Sequence, residues 1–168
     1  EGENDRSSHD SPPASARGRA ARKPYRGKCI TDRVRSATMR LVKIGIASVN
    51  ATVGAVRSNV DRCIAMAEAL AREDTTIAVF PEQVIGGYAM EDLVQWRGLI
   101  ASQRRELERF AEVTAGLGTV FVLGVTVGIG GDLFNCGALV HRGKILGFSP
   151  KEKLPTYNIF YEARTFSR

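Results

Sequence analysis

The sequence predicts an α/β domain whose sheet joins a parallel βαβ pair to an antiparallel edge meander. Three observations predict it. Two short apolar, β-branched runs, Leu41 to Val49 and Thr76 to Phe80, flank a segment with helical spacing. A second helical segment follows, and then three more strand-like runs separated by glycine turns. Strand, amphipathic helix and strand within about forty residues make a βαβ unit, whose strands pair in parallel.

Each element has its own signal. Leu41 to Val49 carries no charge after Lys43 and reads as a buried strand, and Thr76 to Phe80 reads as a second. Between them, Ser58-Asn59-Val60-Asp61 has the spacing of a capping box. Val60, Cys63, Ile64, Ala67 and Leu70/Ala71 then recur on one helical face, with Arg62, Glu68 and Arg72 left outside. Pro81 ends the second strand. Asp92 to Gly98 reads as a short helix, and Ser102 to Ala115 as a longer one that buries Leu107, Phe110, Ala111 and Thr114 before Gly116 and Gly118 stop it. Thr119 to Val127, Leu133 to His141 and Lys144 to Phe148 form an antiparallel meander at the sheet edge. No internal repeat and no second-domain boundary is visible.

Residues 1–38 differ from this body. They are rich in Ser, Arg, Ala, Gly and Pro, with few large apolar residues, a composition that cannot offset its own ordering entropy. They are expected to be a disordered extension, and residues 39–168 the folded domain. A transit peptide is the alternative, opposed by Glu1, Glu3, Asp5, Asp10 and the Pro12-Pro13 pair. Met39, directly before the first strand-like run, is the expected natural start. The tail holds nine Lys/Arg against five Asp/Glu, a net of +4, so the body carries only +2 of the total +6. No basic face interleaved with aromatics is present, so nucleic acid is not an expected partner. No run approaches the roughly 18 apolar residues of a membrane span. Cys29, Cys63 and Cys136 are odd in number and far apart, which argues against disulfides and zinc and fits a reducing cytoplasm.

Two residues carry the chemistry best. Glu82 lies just past the carboxyl end of a strand, where α/β sheets bind ligands. Desolvation there is expected to raise its pKa and suit it to general-base work; capping a turn or pairing with an Arg is the plain alternative. Lys151 follows the last strand, with Lys153 two residues on. A lysine beside a carboxylate can steady an oxyanion, although two solvated loop lysines would look the same. Gly128-Ile129-Gly130-Gly131 lacks a phosphate-loop pattern and reads as a hairpin turn. His9 and His141 offer no metal constellation. Cys63 falls on a core face and Cys136 mid-strand, both as packing groups rather than nucleophiles.

The motif Phe80-Pro81-Glu82, followed by Gly87-Tyr88 and Glu91-Asp92-Leu93, resembles the first motif of the nitrilase, or carbon–nitrogen hydrolase, superfamily. The string from Pro150 to Arg164 (PKEKLPTYNIFYEAR) is similar to the lysine motif in the glutaminase domains of glutamine-dependent NAD synthetases. The match runs from about Leu41 to Arg168, roughly half of such a domain.

The resemblance implies a nitrilase-type α-β-β-α sandwich, here incomplete, and a Glu-Lys-Cys triad. Glu82 matches the general base. Lys151 matches the lysine, since the family places Leu three and Tyr six residues after it, a spacing that Lys153 breaks. Tyr157 and Phe160 match positions lining a glutamine pocket, Glu162 a carboxylate that supports the site, and Tyr88 a residue near an ammonia path. The family's cysteine follows the lysine motif, and here all three cysteines precede it. The resemblance therefore implies an inactive part of a glutamine-hydrolysing enzyme that supplies ammonia for NAD synthesis from nicotinate adenine dinucleotide. Its partners would be glutamine, an absent synthetase domain that uses ATP and Mg, and further copies in a homo-oligomer. No cofactor is expected in this chain. A stand-alone amidase of the same superfamily, or an inactive remnant serving as an interaction module, are the rival readings.

Overall fold

The computed structural model describes residues 41–168. The expectations placed on the 1–38 extension, Met39, Cys29 and His9 lie outside the described residues. The elements run β1 (Ile44–Ile46), α1 (Val56–Arg72), β2 (Ile77–Val79), a 3-10 turn (Glu91–Gln95), α2 (Arg97–Val113), β3 (Val120–Ile129), β4 (Asp132–His141), β5 (Lys144–Pro150) and a second 3-10 turn (Glu162–Arg164). The five strands form one sheet in sequence order. β1, β2 and β3 pair in parallel, and β4 and β5 add as an antiparallel meander. The predicted βαβ unit and edge meander are both present.

Strand register divides the side chains between two faces. Gly45, Ala78, Phe121 and Val140 share a row, and the row two residues on holds Ala47, Phe80, Leu123 and Ala138. These residues are buried under α1 and α2, and Gly45, with no side chain, lets Leu70 lie directly on the strand. Phe110 meets Phe80 and Phe121 edge-on, Phe80 and Phe121 are tilted, and the three rings, with centroids 5.4–6.5 Å apart, form the centre of this core.

The opposite face corrects an expectation. β1 and β2 were expected to be buried on both sides, yet β1 alternates. Ile46 is 85% exposed, and Ile44 is also open. With Ile77, Val79, Val120, Val122, Leu139 and Leu146 they make a continuous apolar sheet face that no described element covers. The apolar run signalled two buried faces correctly as chemistry, but only one is covered among the described residues.

Helix starts also differ from expectation. α1 begins at Val56, without a side-chain cap, because starting there buries Val56 in the core. Asn59 is thereby inside the helix, where it accepts from the Thr52 amide at 2.8 Å and donates to the carbonyls of Thr52 and Ile85 at 2.8 and 3.1 Å. Asp61, the other half of the supposed capping box, pairs with Arg109 at 2.7 Å. α2 begins at Arg97 instead of Ser102, since Leu99 and Ile100 gain burial against the small cluster of Met90, Val94, Leu154 and Phe166. Among the described residues no helix is long and apolar enough to cross a membrane.

Candidate active site

β2 delivers Phe80 into the aromatic core, and the chain then turns sharply through Pro81, Glu82 and Gln83. Gln83 is buried and takes a left-handed conformation, φ +48°. The turn lies directly on β3. A Cβ on Gly124 would sit 2.1 Å from the Gln83 nitrogen and 2.5 Å from the Pro81 carbonyl oxygen, so only glycine lets the turn pack this closely. Glu82 is therefore set in place by a glycine on the neighbouring strand.

Lys151 arrives from the other side, one residue beyond β5. Its amide donates to the carbonyl of Asn135 on β4 at 2.7 Å. Its Nζ lies 2.8 Å from Glu82 Oε1, although the two residues are 69 positions apart in sequence. The same ammonium lies 3.1 and 2.9 Å from the two oxygens of Glu162. Glu162 is only 7% exposed, and its Oε2 has the close ammonium charge without well-angled hydrogen bonding. Leu154 and Phe166, both buried, pin the two ends of the loop that carries Glu162.

Electrostatics follow from this packing. Desolvation is the largest single influence on Glu82 and pushes its pKa up. Hydrogen bonds from Lys151 and Asn135, with the lysine's charge, together outweigh it and hold the group below its ordinary value. The expectation of a raised Glu82 pKa is thus corrected: the side chain is 45% open to solvent and paired with a cation. Burial pulls Lys151 down, but the two carboxylates more than compensate and keep it an ammonium above the ordinary lysine range. The Tyr88 phenol is pushed up by burial and then by the charges of Glu162 and Glu82; its hydroxyl lies 3.5 Å from Glu162 Oε1.

Four of the sequence-predicted residues, Glu82, Lys151, Glu162 and Tyr88, therefore meet. Phe160 lines an adjoining cavity of about 470 Å³ with Tyr88, Met90, Tyr161, Glu162 and Arg164. Glu82 and Lys151 are not among the walls of that cavity. Tyr157 packs edge-on against Phe160 at 5.6 Å and borders a shallower depression with Lys151, mostly in solvent. Lys153 is exposed and joins no ion pair among the described residues. Cys63 is sealed in the core, where burial pushes its thiol up to about 12, and burial also raises Cys136. Neither approaches a reactive thiolate. Among the described residues no cluster of three metal-ligating side chains exists.

Sequence reasoning missed Asn135. It is buried within β4, and its Nδ2 donates to Glu82 Oε1 at 2.6 Å. An amide inside the apolar run Leu133-Phe134-Asn135-Cys136 is the signal that marks it, since a buried polar group requires a partner.

No protein-family model matches the chain. The glutamine-dependent NAD(+) synthetase of Thermotoga maritima is 31% identical over 128 residues, which is 76% of this chain and 22% of that protein. The crystal structure of a glutamine-dependent NAD(+) synthetase from Cytophaga hutchinsonii superposes with a TM-score of 0.71 at 29% identity, over 75% of this chain and 21% of that one. An amidase from Nesterenkonia sp. AN1, of the nitrilase superfamily, superposes with a TM-score of 0.63 at 17% identity, over 76% of this chain and 49% of its own. That amidase has an active-site cysteine, which takes up acrylamide by Michael addition in a variant with glutamine in place of a glutamate. The fold is thus of the nitrilase type, with one sheet and its helix layer described. The motif resemblance also stands, and the chain spans about a fifth of the length of the synthetases it matches.

Proposed function

We propose that this domain carries the acid–base half of a glutamine-hydrolysing active site whose nucleophile and covering sheet come from polypeptide outside residues 41–168. The observation that carries this reading is Lys151 held between Glu82 and Glu162, at the carboxyl end of β2 and just beyond β5. Similarity to glutamine-dependent NAD(+) synthetases supports glutamine as the substrate.

In this reading Glu82 takes the proton of a cysteine thiol, and the thiolate attacks the amide carbon of glutamine. Lys151 faces the oxyanion of the tetrahedral intermediate and offsets its charge. Collapse breaks the C–N bond, and the proton held by Glu82 passes to the leaving nitrogen, which departs as ammonia. Glu82, ionised again, then deprotonates water, which attacks the thioester; the second tetrahedral intermediate releases glutamate and the thiol. Glu162 does not exchange protons. It holds the ammonium of Lys151 in position.

The ammonia would serve ATP-dependent synthesis of NAD from nicotinate adenine dinucleotide. The described residues do not fit ATP: Gly130 and Gly131 turn the β3–β4 hairpin, with no helix N-terminus behind them to receive phosphates. ATP and Mg would belong to a separate synthetase domain. A stand-alone amidase uses the same chemistry, and a glycine-rich ATP-binding motif downstream in the same gene favours the synthetase.

The test is glutamate release from the purified chain. None is expected, because both described cysteines are buried and burial raises their thiol pKa values. Release that disappears on Glu82→Gln would show that the chain holds its own nucleophile and would defeat the division of labour.

A further inference from the structure

We infer that Asn135 is the positioning residue that orients the Glu82 carboxylate and selects which of its two oxygens exchanges protons. The inference rests on the reading of Glu82 as the base. Asn135 is 3% exposed, sits mid-strand on β4 and faces Thr126 of β3 in the register. Its Nδ2 donates to Glu82 Oε1 at 2.6 Å, and Lys151 Nζ donates to the same oxygen at 2.8 Å. No donor stands in hydrogen-bonding geometry to Glu82 Oε2 among the described residues, although the Glu162 carboxyl is close enough to act on Glu82.

The two oxygens are therefore unequal. A proton arriving on Oε1 would displace two donors, one of them a cation. A proton arriving on Oε2 displaces neither and leaves both bonds in place. Proton transfer is confined to Oε2, and Oε1 serves as an anchor. An amide suits the anchor because it donates without competing for the proton. The charged and titratable groups facing Glu82 are Lys151, Glu162 and Tyr88, so Asn135 is the neighbour that does not titrate.

Asn135 also ties the base to the lysine. Its side chain holds Glu82, while its main-chain carbonyl accepts the amide of Lys151 at 2.7 Å. Replacing the side chain breaks the first link and keeps the second, which lets the two be separated by experiment.

The experiment is an NMR titration of the full chain, following the Glu82 carboxyl carbon and the Asn135 side-chain amide. In the unaltered protein the Asn135 amide shift follows the ionisation of Glu82, and that response vanishes in Glu82→Gln. Asn135→Ala raises the Glu82 midpoint by roughly half a unit or more, and Asn135→Asp raises it further by adding a like charge. A burial role alone would leave the midpoint unmoved. An Asn135 amide indifferent to Glu82 ionisation, or an unchanged midpoint in folded Asn135→Ala, overturns the inference. The first of these needs no substitution at residue 135, so it decides even where the variants do not fold. Neither readout needs turnover. A protein that never hydrolyses glutamine yet shows these shifts would remove the functional reading and leave the orientation standing.

Discussion

The ammonium of Lys151 lies 2.9 Å from Glu162 Oε2, a carboxylate oxygen closed off from solvent, and 2.8 Å from Glu82 Oε1, on a side chain half open to it. The two ion pairs are thus unlike. A buried charge without a partner is far costlier than an exposed one, so the pair with Glu162 contributes to the fold and the pair with Glu82 contributes mainly to the site.

Lys151→Met should therefore destabilise the protein by about 3 kcal/mol, since it strands Glu162. Glu82→Gln should cost about 1 kcal/mol or less. Denaturant unfolding of both variants checks this, and equal losses would contradict the unequal burial.

The turn bearing Glu82 depends on Gly124. Gly124→Ala drives a methyl into backbone atoms that cannot yield, which should cost about 1–3 kcal/mol and displace Glu82. Thermal unfolding reads the first effect, and the loss of the Glu82–Lys151 contact in a structure of the variant reads the second. A variant as stable as the parent would mean that the turn is free to move off β3.

The open sheet face predicts self-association that rises with concentration. Ile46→Lys should change stability by less than about 0.5 kcal/mol, because the side chain already points into solvent, while lowering association measured by light scattering. A large stability loss would show that the face is already covered within the chain.

Glu82 also sets an acid limit. Its folded pKa lies below its ordinary value of 4.5, so the stability it contributes is fully present above that value and fades as pH falls through the folded pKa. Glu82→Gln should flatten this part of the stability profile below about pH 4.5. Lys151, raised above its ordinary 10.5, contributes stability that is present below that value and lost as pH climbs beyond it. A profile for Glu82→Gln that matches the parent in acid would place Glu82 outside any ion pair.

Much of this was readable in the residues. The βαβ unit, both helices and the meander follow from periodicity, and the motif around Glu82 and the Lys151-to-Glu162 string gave four side chains that meet. What stayed hidden depends on tertiary context. Ile44 and Ile46 have the chemistry of core residues, and sequence does not say whether a covering layer is present. Ser58-Asn59-Val60-Asp61 has a cap's spacing, but burial of Val56 moved the helix start and gave Asn59 another task. The Glu82 pKa ran opposite to expectation because it is set by a lysine and an amide brought in from distant strands. Asn135 and Gly124 act across strand pairs, and register is not legible in a single run.

In the proposed site Glu82 acts as the base and Lys151 as the oxyanion partner once a nucleophile is supplied. The most direct test replaces the matching segment of the Thermotoga maritima synthetase with residues 41–168 of this chain and measures glutamine hydrolysis. The chimera is expected to release glutamate, and Glu82→Gln to lower the rate by at least about a hundredfold. A folded chimera that hydrolyses glutamine equally well with and without Glu82→Gln would contradict it.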